Sequence, residues 1–445
     1  MSRMKRKIVV LLFLLLCGVQ VLLAISLITR QNKAAEEEEP QVQELEIAWW
    51  GNSLRNQRMP KALNLFTEQY PAVTLSYQHT EFTAYWDLLA THIASQTLPD
   101  VFSMDYLYYN QYVESQLLLD LSPYIADGTL QLNDVNEALL KTGMTDGKTY
   151  AICTGINAPA LIYNRTLLDQ AGITVPEHMT LSEFAKISKQ VYEKTGVKTN
   201  YRYRQNIEGL EHMLRGNGKQ LFANGQFGVD SAQEFVPYFQ IYEQGMQEGW
   251  LISPDVFSER IIASSDLDPL VYGADAASRS WCVFSWSDML SSYQAVAPDI
   301  KKFGMAAWPS EHPVRSDYLK PSQFVCVSAN SKNPRTAVQL IDFITNSVEY
   351  NKIILAECGI PFSSNVADAI HDDLDAYGKQ SSDFVNHVIM PCSSSINPSS
   401  PAGVDRINAA LSAVVVDLCY GKITAQQAAE RFFEEGNQLL ADPAP

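Results

Sequence analysis

"LEIAWWGNSLRNQRMPKALNLFTEQYPAVTLSYQ", residues 45–78, changes its hydrophobic period twice, and that change decides the fold. Residues 45–50 form a short apolar run ending at Gly51, which reads as a strand. Met59, Ala62, Leu63 and Phe66 then recur at helical spacing until Pro71 ends the helix. Val73, Leu75 and Tyr77 alternate as a second strand. Trp86, Leu89, Ala90 and Ile93 mark a second amphipathic helix, and Pro99-Asp100 leads into "VFSM", residues 101–104, as a third strand. Strand–helix–strand–helix–strand is the pattern of a parallel, doubly wound α/β sheet, where ligands sit beyond the carboxyl ends of the strands. Trp50, Gly51, Asn52, Asp105 and Tyr106 lie at such ends. Neighbours on a strand point to opposite faces, so at most one of Trp49 and Trp50 packs into a core. Trp49 is the core member, and Trp50 is left to cover something else.

A second α/β region begins near residue 150 with "YAICTGI" and "ALIYN" as strands. Thr180 with Glu183 forms a capping box that starts a helix through Phe184, Ile187 and Val191. Ser231 with Glu234 and Thr424 with Gln427 repeat the device, and Asn333-Pro334 reads as an N-cap and first-turn pair. No repeat of fixed period is visible. At 445 residues the chain exceeds a single core, and the pattern predicts two α/β lobes. The expected division is residues 45–155 with 311–360 as lobe 1 and 156–310 with 361–445 as lobe 2.

The chain carries a net charge of −17, while its first 33 residues hold six basic side chains and no acid, leaving −23 for the remainder. So acidic a body is repelled by phosphate backbones, which argues against nucleic acid as a partner. Arg3, Lys5, Arg6 and Lys7 precede an uncharged run from Ile8 to Ile28, long enough as a helix to span roughly 31 Å of bilayer. Residues 1–30 therefore read as a signal peptide or an N-terminal membrane anchor, with everything after them on the extracellular face. Residues 31–44, with four consecutive glutamates and Pro40, read as a flexible acidic linker. Of seven cysteines, six lie in the body without metal-like spacing. Cys358 with Cys392, or Cys282 with Cys326, could form bridges; small buried hydrophobes are the preferred reading.

The sequence lacks GxSxG, HExxH, Walker and GxGxxG motifs, and no histidines pair at i, i+4. No catalytic residue, metal or cofactor is expected, although paired carboxylates for glycoside hydrolysis need no local signature. Aromatic and amide residues instead gather at predicted strand ends: "WWGN", "MDYLYYNQY" (104–112), "TGINAP" (154–159), "SWCVFSWSD" (280–288) and "AAWPS" (306–310). Sugars present C–H faces that stack on rings and hydroxyls that need fixed donors and acceptors. Tyr108, Tyr109 and Trp250 read as packing rather than site residues.

In order along the chain, "LPDVFSMD" (98–105), "TDGKTYAICTGINAPALIYNRTLLDQAGI" (145–173), "MTLSEFAKI" (179–187), "VFSWSDM" (283–289), "SANSKNPRTAVQLIDFI" (328–344) and "CGIPFSS" (358–364) resemble the extracellular solute-binding proteins of ABC sugar importers, the family that includes maltose-binding protein. Leu181 replaces the family's Trp, Ser285 its Gly and Asp288 its Asn. The resemblance implies a two-lobed periplasmic-binding-protein-like fold of type II, each lobe a doubly wound mixed sheet, joined by hinge crossings. It implies a monomer that captures a sugar or oligosaccharide by hinge closure and delivers it to ABC permease subunits in the membrane. Carried over position by position, the cleft draws on Trp50, Asn52, Asp105, Asn157, Trp286 and Trp308, with Glu81 and Trp86 at the rim; Tyr106 and Asp288 complete the expected ligand-binding set. Arg55, Arg204 and Arg279 are the arginines that could meet an anionic ligand. Two rivals stay open: an extracellular carbohydrate-active lyase or hydrolase, and a ligand-sensing accessory of a membrane kinase.

Overall fold

A computed structural model describes residues 42–201, 206–258, 265–398, 400–401 and 403–441. The predicted leader or anchor, most of the acidic linker and Arg204 lie outside the described residues. Among those described, no helix is long and apolar enough to cross a membrane.

The opening stretch folds as its periods predict: β1 (Gln43–Trp50), α1 (Ser53–Gln69), β2 (Val73–Thr80), α2 (Phe82–Ser95) and β3 (Val101–Met104). Asn52 caps α1 by accepting from the Arg55 amide at 2.9 Å, and Met59, Ala62, Leu63 and Phe66 are its buried stripe. The chain continues through β4 (Ile152–Cys153), β5 (Gly155–Asn157), β6 (Pro159–Asn164), α3 (Leu181–Thr195), α4 (Asn206–Gly216), α5 (Val236–Gln247), β7 (Cys282–Trp286), α6 (Leu290–Val296) and β8 (Phe303–Ala306). It returns by β9 (Lys320–Pro321) and β10 (Phe324–Val327), followed by α7 (Pro334–Asn346), α8 (Val348–Ile354), β11 (Ile360–Pro361), α9 (Ala376–Asp383), α10 (Val404–Cys419) and α11 (Ala425–Ala441).

Two larger sheets result. The first has the order β2-β1-β3-β10-β4, parallel from β2 to β3 and antiparallel where β10 inserts. The second is antiparallel, in the order β7-β6-β8. Between them lies a small sheet, β9-β5-β11, in which three separate chain segments cross. Trp49, Phe66, Tyr85, Phe102 and Phe324 centre one core, and Phe184, Phe235, Trp250, Trp281 and Phe432 centre another. Each such fully buried side chain contributes about 1.5–3 kcal/mol of transfer free energy.

The Thr180 capping box forms, with the Glu183 amide donating to the Thr180 hydroxyl and the Thr180 amide to the Glu183 carboxylate. Thr424 and Gln427 make the same reciprocal pair. Ser231 does not cap: its side chain makes no cap bond, and Glu234 instead accepts from the Asp230 amide at 3.1 Å. Asn333 precedes α7 as expected, but its side chain leaves the helix and donates to the Glu44 carbonyl at 3.0 Å. That bond ties α7 to β1, a tertiary demand that outcompetes a local cap. Neither suggested disulfide forms; all six described cysteines are free, and all but Cys392 are buried. Residues 363–370 pack beside α8: the Ser364 amide donates to the Asp134 carbonyl at 2.8 Å, and Val366 and Ile370 pack with Val348 and Leu355 in a small cluster of their own.

Both adjacent tryptophans are buried, against the expectation that only one would be. Trp49 is fully enclosed beside Tyr77 and His79, with its indole N–H donating to Asn56 Oδ1 at 3.0 Å. Trp50, 8% exposed, is held on the opposite face by Phe82, Tyr85 and Trp86, with ring centroids 5.4–5.8 Å away. Helix α2 covers that face of the sheet, so the first core continues onto both faces of β1. What is left of Trp50 faces a cleft.

Candidate functional site

That cleft, about 470 Å³, is lined from both large sheets and from the crossing strands between them. The end of β1 and the start of α1 contribute Trp50, Asn52 and Arg55; the start of α2 contributes Glu81; the residue after β3 is Asp105. Across from them stand Trp286 and Asp288 at the end of β7, Glu208 on α4, and Ser291 and Ser292 on α6. Asn157 of β5 and Lys320 of β9 form the floor, with Gln323 beside them. Larger hollows of about 660 and 560 Å³ run along edge strand β2 and over α3 and α5, but neither joins the two sheets.

Charge is concentrated in the floor. Arg55 donates through its guanidinium to the Trp50 carbonyl at 3.2 Å, to Gln323 Oε1 at 3.3 Å and to the Glu357 carbonyl at 2.7 Å. Burial opposes its charge, while Cys358, Glu357 and Asp288 favour it and carry its pKa above the usual arginine value. The same burial pushes the Asp288 carboxyl up, against the pull of Arg55, the Asn157 amide and Lys320. Glu357 is likewise raised by burial and steadied by Arg55 and by Asn52, whose side-chain amide donates to Glu357 Oε1 at 2.7 Å. Asp105 is 8% exposed and held by the Leu107 amide, which donates to its Oδ1 at 2.9 Å. The Lys320 ammonium lies 4.3 Å over the Trp286 ring and 4.0 Å from Glu208. Rings, carboxylates and amides thus converge in one half-enclosed space, an arrangement that stacks on an apolar face and offers acceptors and donors to hydroxyls.

Of the residues predicted from sequence, Trp50, Asn52, Glu81, Asp105, Asn157, Trp286 and Asp288 line this cleft. Three stand apart from it. Trp86 packs behind Trp50, with Tyr108 covering it at 4.1 Å. Trp308, 2% exposed, backs Trp286 at 5.6 Å and touches His212. Tyr106 faces an adjoining recess, its hydroxyl donating to the Asn397 carbonyl at 2.8 Å. Glu208, Lys320 and Gln323 were missed, and Arg55 could not be placed from sequence. No local pattern around Glu208, Lys320 or Gln323 marks them as sharing one space. Arg279 does not line the cleft and pairs with Asp299 at 3.4 Å. Among the described residues, no group of three His, Cys, Asp or Glu could hold a metal ion.

Below this floor Asp317, 1% exposed, sits between His178 at 3.4 Å and His212 at 3.8 Å. Burial raises its carboxyl to about 7 and lowers the His212 imidazole to about 3. A carboxyl whose folded pKa is raised destabilises the fold increasingly as pH climbs from the unfolded value near 4 through 7. The neutral His212 acts oppositely, and its effect is common to wild type and variant. Asp317→Asn is therefore expected to gain about 2 kcal/mol on the wild type between pH 5 and pH 8. Urea melts at the two pH values check this; a stability difference that does not change with pH overturns it.

A family model for bacterial extracellular solute-binding proteins matches residues 61–379. Among solved structures, a family 1 extracellular solute-binding protein from Alicyclobacillus acidocaldarius superposes with a TM-score of 0.70 at 25% identity, covering 90% of this chain and 99% of that one. A periplasmic solute binding protein from Pectobacterium atrosepticum gives a TM-score of 0.78 at 18% identity, covering 90% and 99%. An ABC substrate-binding protein from Listeria monocytogenes, in complex with cycloalternan, gives 0.74 at 18% identity, again covering 90% and 99%. At 18% identity these two likenesses show the fold alone. An arabinooligosaccharide-binding protein from Halalkalibacterium halodurans is 26% identical over 98 residues, a match spanning 22% of this chain and 22% of that relative.

Proposed function

The chain belongs to the bacterial extracellular solute-binding protein family, and from that premise we propose that it captures a carbohydrate in the cleft between its two sheets and delivers it to ABC permease subunits. The observation that carries the reading is the composition of the cleft: Trp50 and Trp286 on facing walls, with Asp105, Asp288, Asn52 and Asn157 beside them. An indole offers a flat apolar face to sugar C–H groups, and carboxylates and amides accept and donate to the ring hydroxyls. The ligand is an oligosaccharide, in keeping with the partial match to an arabinooligosaccharide-binding protein. Binding makes and breaks no covalent bond.

The three crossing strands are the hinge of this proposal. A ligand seated on one wall draws the other over it because the closed form offers it more contacts, so binding shifts the population toward closure. The closed surface is what the permease recognises. Residues 1–30 direct the chain across the membrane and tether or release it on the extracellular side.

A thermal-shift screen of mono- and oligosaccharides, arabino-oligosaccharides included, tests the reading. A ligand at a hundredfold excess over its Kd adds about 2.7 kcal/mol of stability. In the same assay Trp286→Ala is expected to weaken the best ligand by about 1–3 kcal/mol and to lower the ligand-free melting temperature less than loss of a fully enclosed tryptophan would, since Trp286 is only part-buried. Unchanged affinity in that variant removes Trp286 from the site; a screen with no stabilising sugar removes the carbohydrate.

A further inference from the structure

The cleft continues past Trp286 into a recess of about 50 Å³, shared by Asp105, Glu208 and Lys320 and closed on its far side by Ile396, Asn397 and Pro398. These last residues belong to the stretch "CSSSINPSS", 392–400, which precedes α10. Apart from Cys392, Ile396 and Pro398 the stretch is serine and asparagine, and none of these three is fully buried, so its path is held chiefly by hydrogen bonds. Several of these come from Arg215.

Arg215 stands at the end of α4 and is 6% exposed. Its guanidinium donates to Asn397 Oδ1 at 2.5 Å, to Ser394 Oγ at 2.7 Å and to the Ser395 carbonyl at 2.9 Å, while Nε donates to the Ser316 carbonyl at 3.2 Å. Its plane lies 4.7 Å from the Tyr318 ring. A fork of donors stacked on an aromatic face is what arginine supplies and lysine does not. Asn397 is fixed a second time, donating to Glu211 Oε1 at 2.6 Å, and the Ser394 amide donates to the Asp317 carbonyl at 2.8 Å. From the opposite side of the cleft, the Tyr106 hydroxyl donates to the Asn397 carbonyl at 2.8 Å. Asn397 is therefore held by Tyr106 on one side and by Arg215 and Glu211 on the other, at the far end of the recess.

We propose that residues 394–398 are the end wall of the binding cleft, that Arg215 is the residue that positions this wall, and that the wall limits the length of oligosaccharide the cleft accepts. The proposal rests on the carbohydrate reading for its ligand, but the clamp itself does not. Loosening the clamp lets the loop move off and opens the far side of the recess, so an additional sugar unit can enter.

Two variants and two measurements test it. Arg215→Lys keeps a cation but loses the fork, and Asn397→Ala removes the side chain that Arg215 and Glu211 hold. Calorimetric titration uses arabino-oligosaccharides and malto-oligosaccharides of two to six units. In both variants the longest oligomers of the series that binds are expected to gain about tenfold in affinity relative to the wild type, while the shortest is unchanged. A uniform loss at every length, or a wild-type length profile in a folded variant, overturns the wall. Hydrogen exchange of the ligand-free proteins reads the clamp separately: the Ser394 amide, which donates to the Asp317 carbonyl, is expected to exchange faster in both variants, with the middle of α4 unaffected. Unaltered exchange there overturns the role of Arg215 whether or not any sugar binds. If no oligomer in either series binds the wild type while exchange changes as expected, it is the carbohydrate reading that fails and the clamp that stands.

Discussion

Arg55→Ala is expected to destabilise the fold by about 3–5 kcal/mol, the largest effect of any substitution at the cleft. The reason lies in what the guanidinium joins. It bonds the Trp50 carbonyl at the end of β1, the Gln323 side chain ahead of β10 and the Glu357 carbonyl ahead of β11. It also supplies the positive charge that offsets Glu357 and Asp288, both raised by burial. Removing it deprives two carboxyl groups of their nearest counter-charge and three acceptors of a donor, and an under-compensated buried charge costs more than the intact arrangement contributes. Adding Glu357→Gln to Arg55→Ala removes one of the stranded carboxylates, so the double variant is expected to recover about 1–2 kcal/mol. Denaturant melts of the four proteins of this cycle give the answer. An Arg55→Ala protein as stable as the wild type would mean that the floor carries no net charge to balance.

Gly155→Ala is expected to cost about 3 kcal/mol by forcing the crossing strands apart. Gly155 opens β5, where it pairs with Pro361 of β11 and accepts from the Ser322 amide at 2.8 Å. A Cβ added there would meet the Cys358 carbonyl and the Gly359 backbone directly. Those atoms are main chain leading directly into β11 and cannot rotate aside as a flexible side chain would. The consequence reaches function, because these strands are the seam about which the proposed closure turns. The variant is expected to lose both melting temperature and ligand-dependent closure, the latter read as the change in radius of gyration when ligand is added to the wild type and to the variant. A variant with wild-type stability would show that the crossing strands are not tightly packed in solution.

Much of the first sheet could be read from residues 45–104, because the features that specify it are local. Met59, Ala62, Leu63 and Phe66 announce a helix by spacing alone, and the Thr180 capping box needs only four residues. Where local chemistry was overruled, a distant partner was responsible. Asn333 gives up its cap to bond Glu44, and Trp50 is packed by rings of α2. The cleft was legible only at strand ends that carry aromatic or amide residues. Glu208, Lys320 and Gln323 come from a helix and crossing segments whose own sequences hold no sign of a shared space.

The sequence by itself determined the class of the fold, the alternation of helices and strands, and the position of Trp50, Asp105 and Trp286 at strand ends, since each follows from side-chain period and the nearest neighbours. The tertiary structure alone decided that residues 55, 157, 288, 320 and 357 meet in one charged floor, that the loop at 394–398 hangs from Arg215, and that both adjacent tryptophans are enclosed. Those outcomes depend on burial and on contacts between segments tens to hundreds of residues apart, and neither quantity exists until the chain has folded.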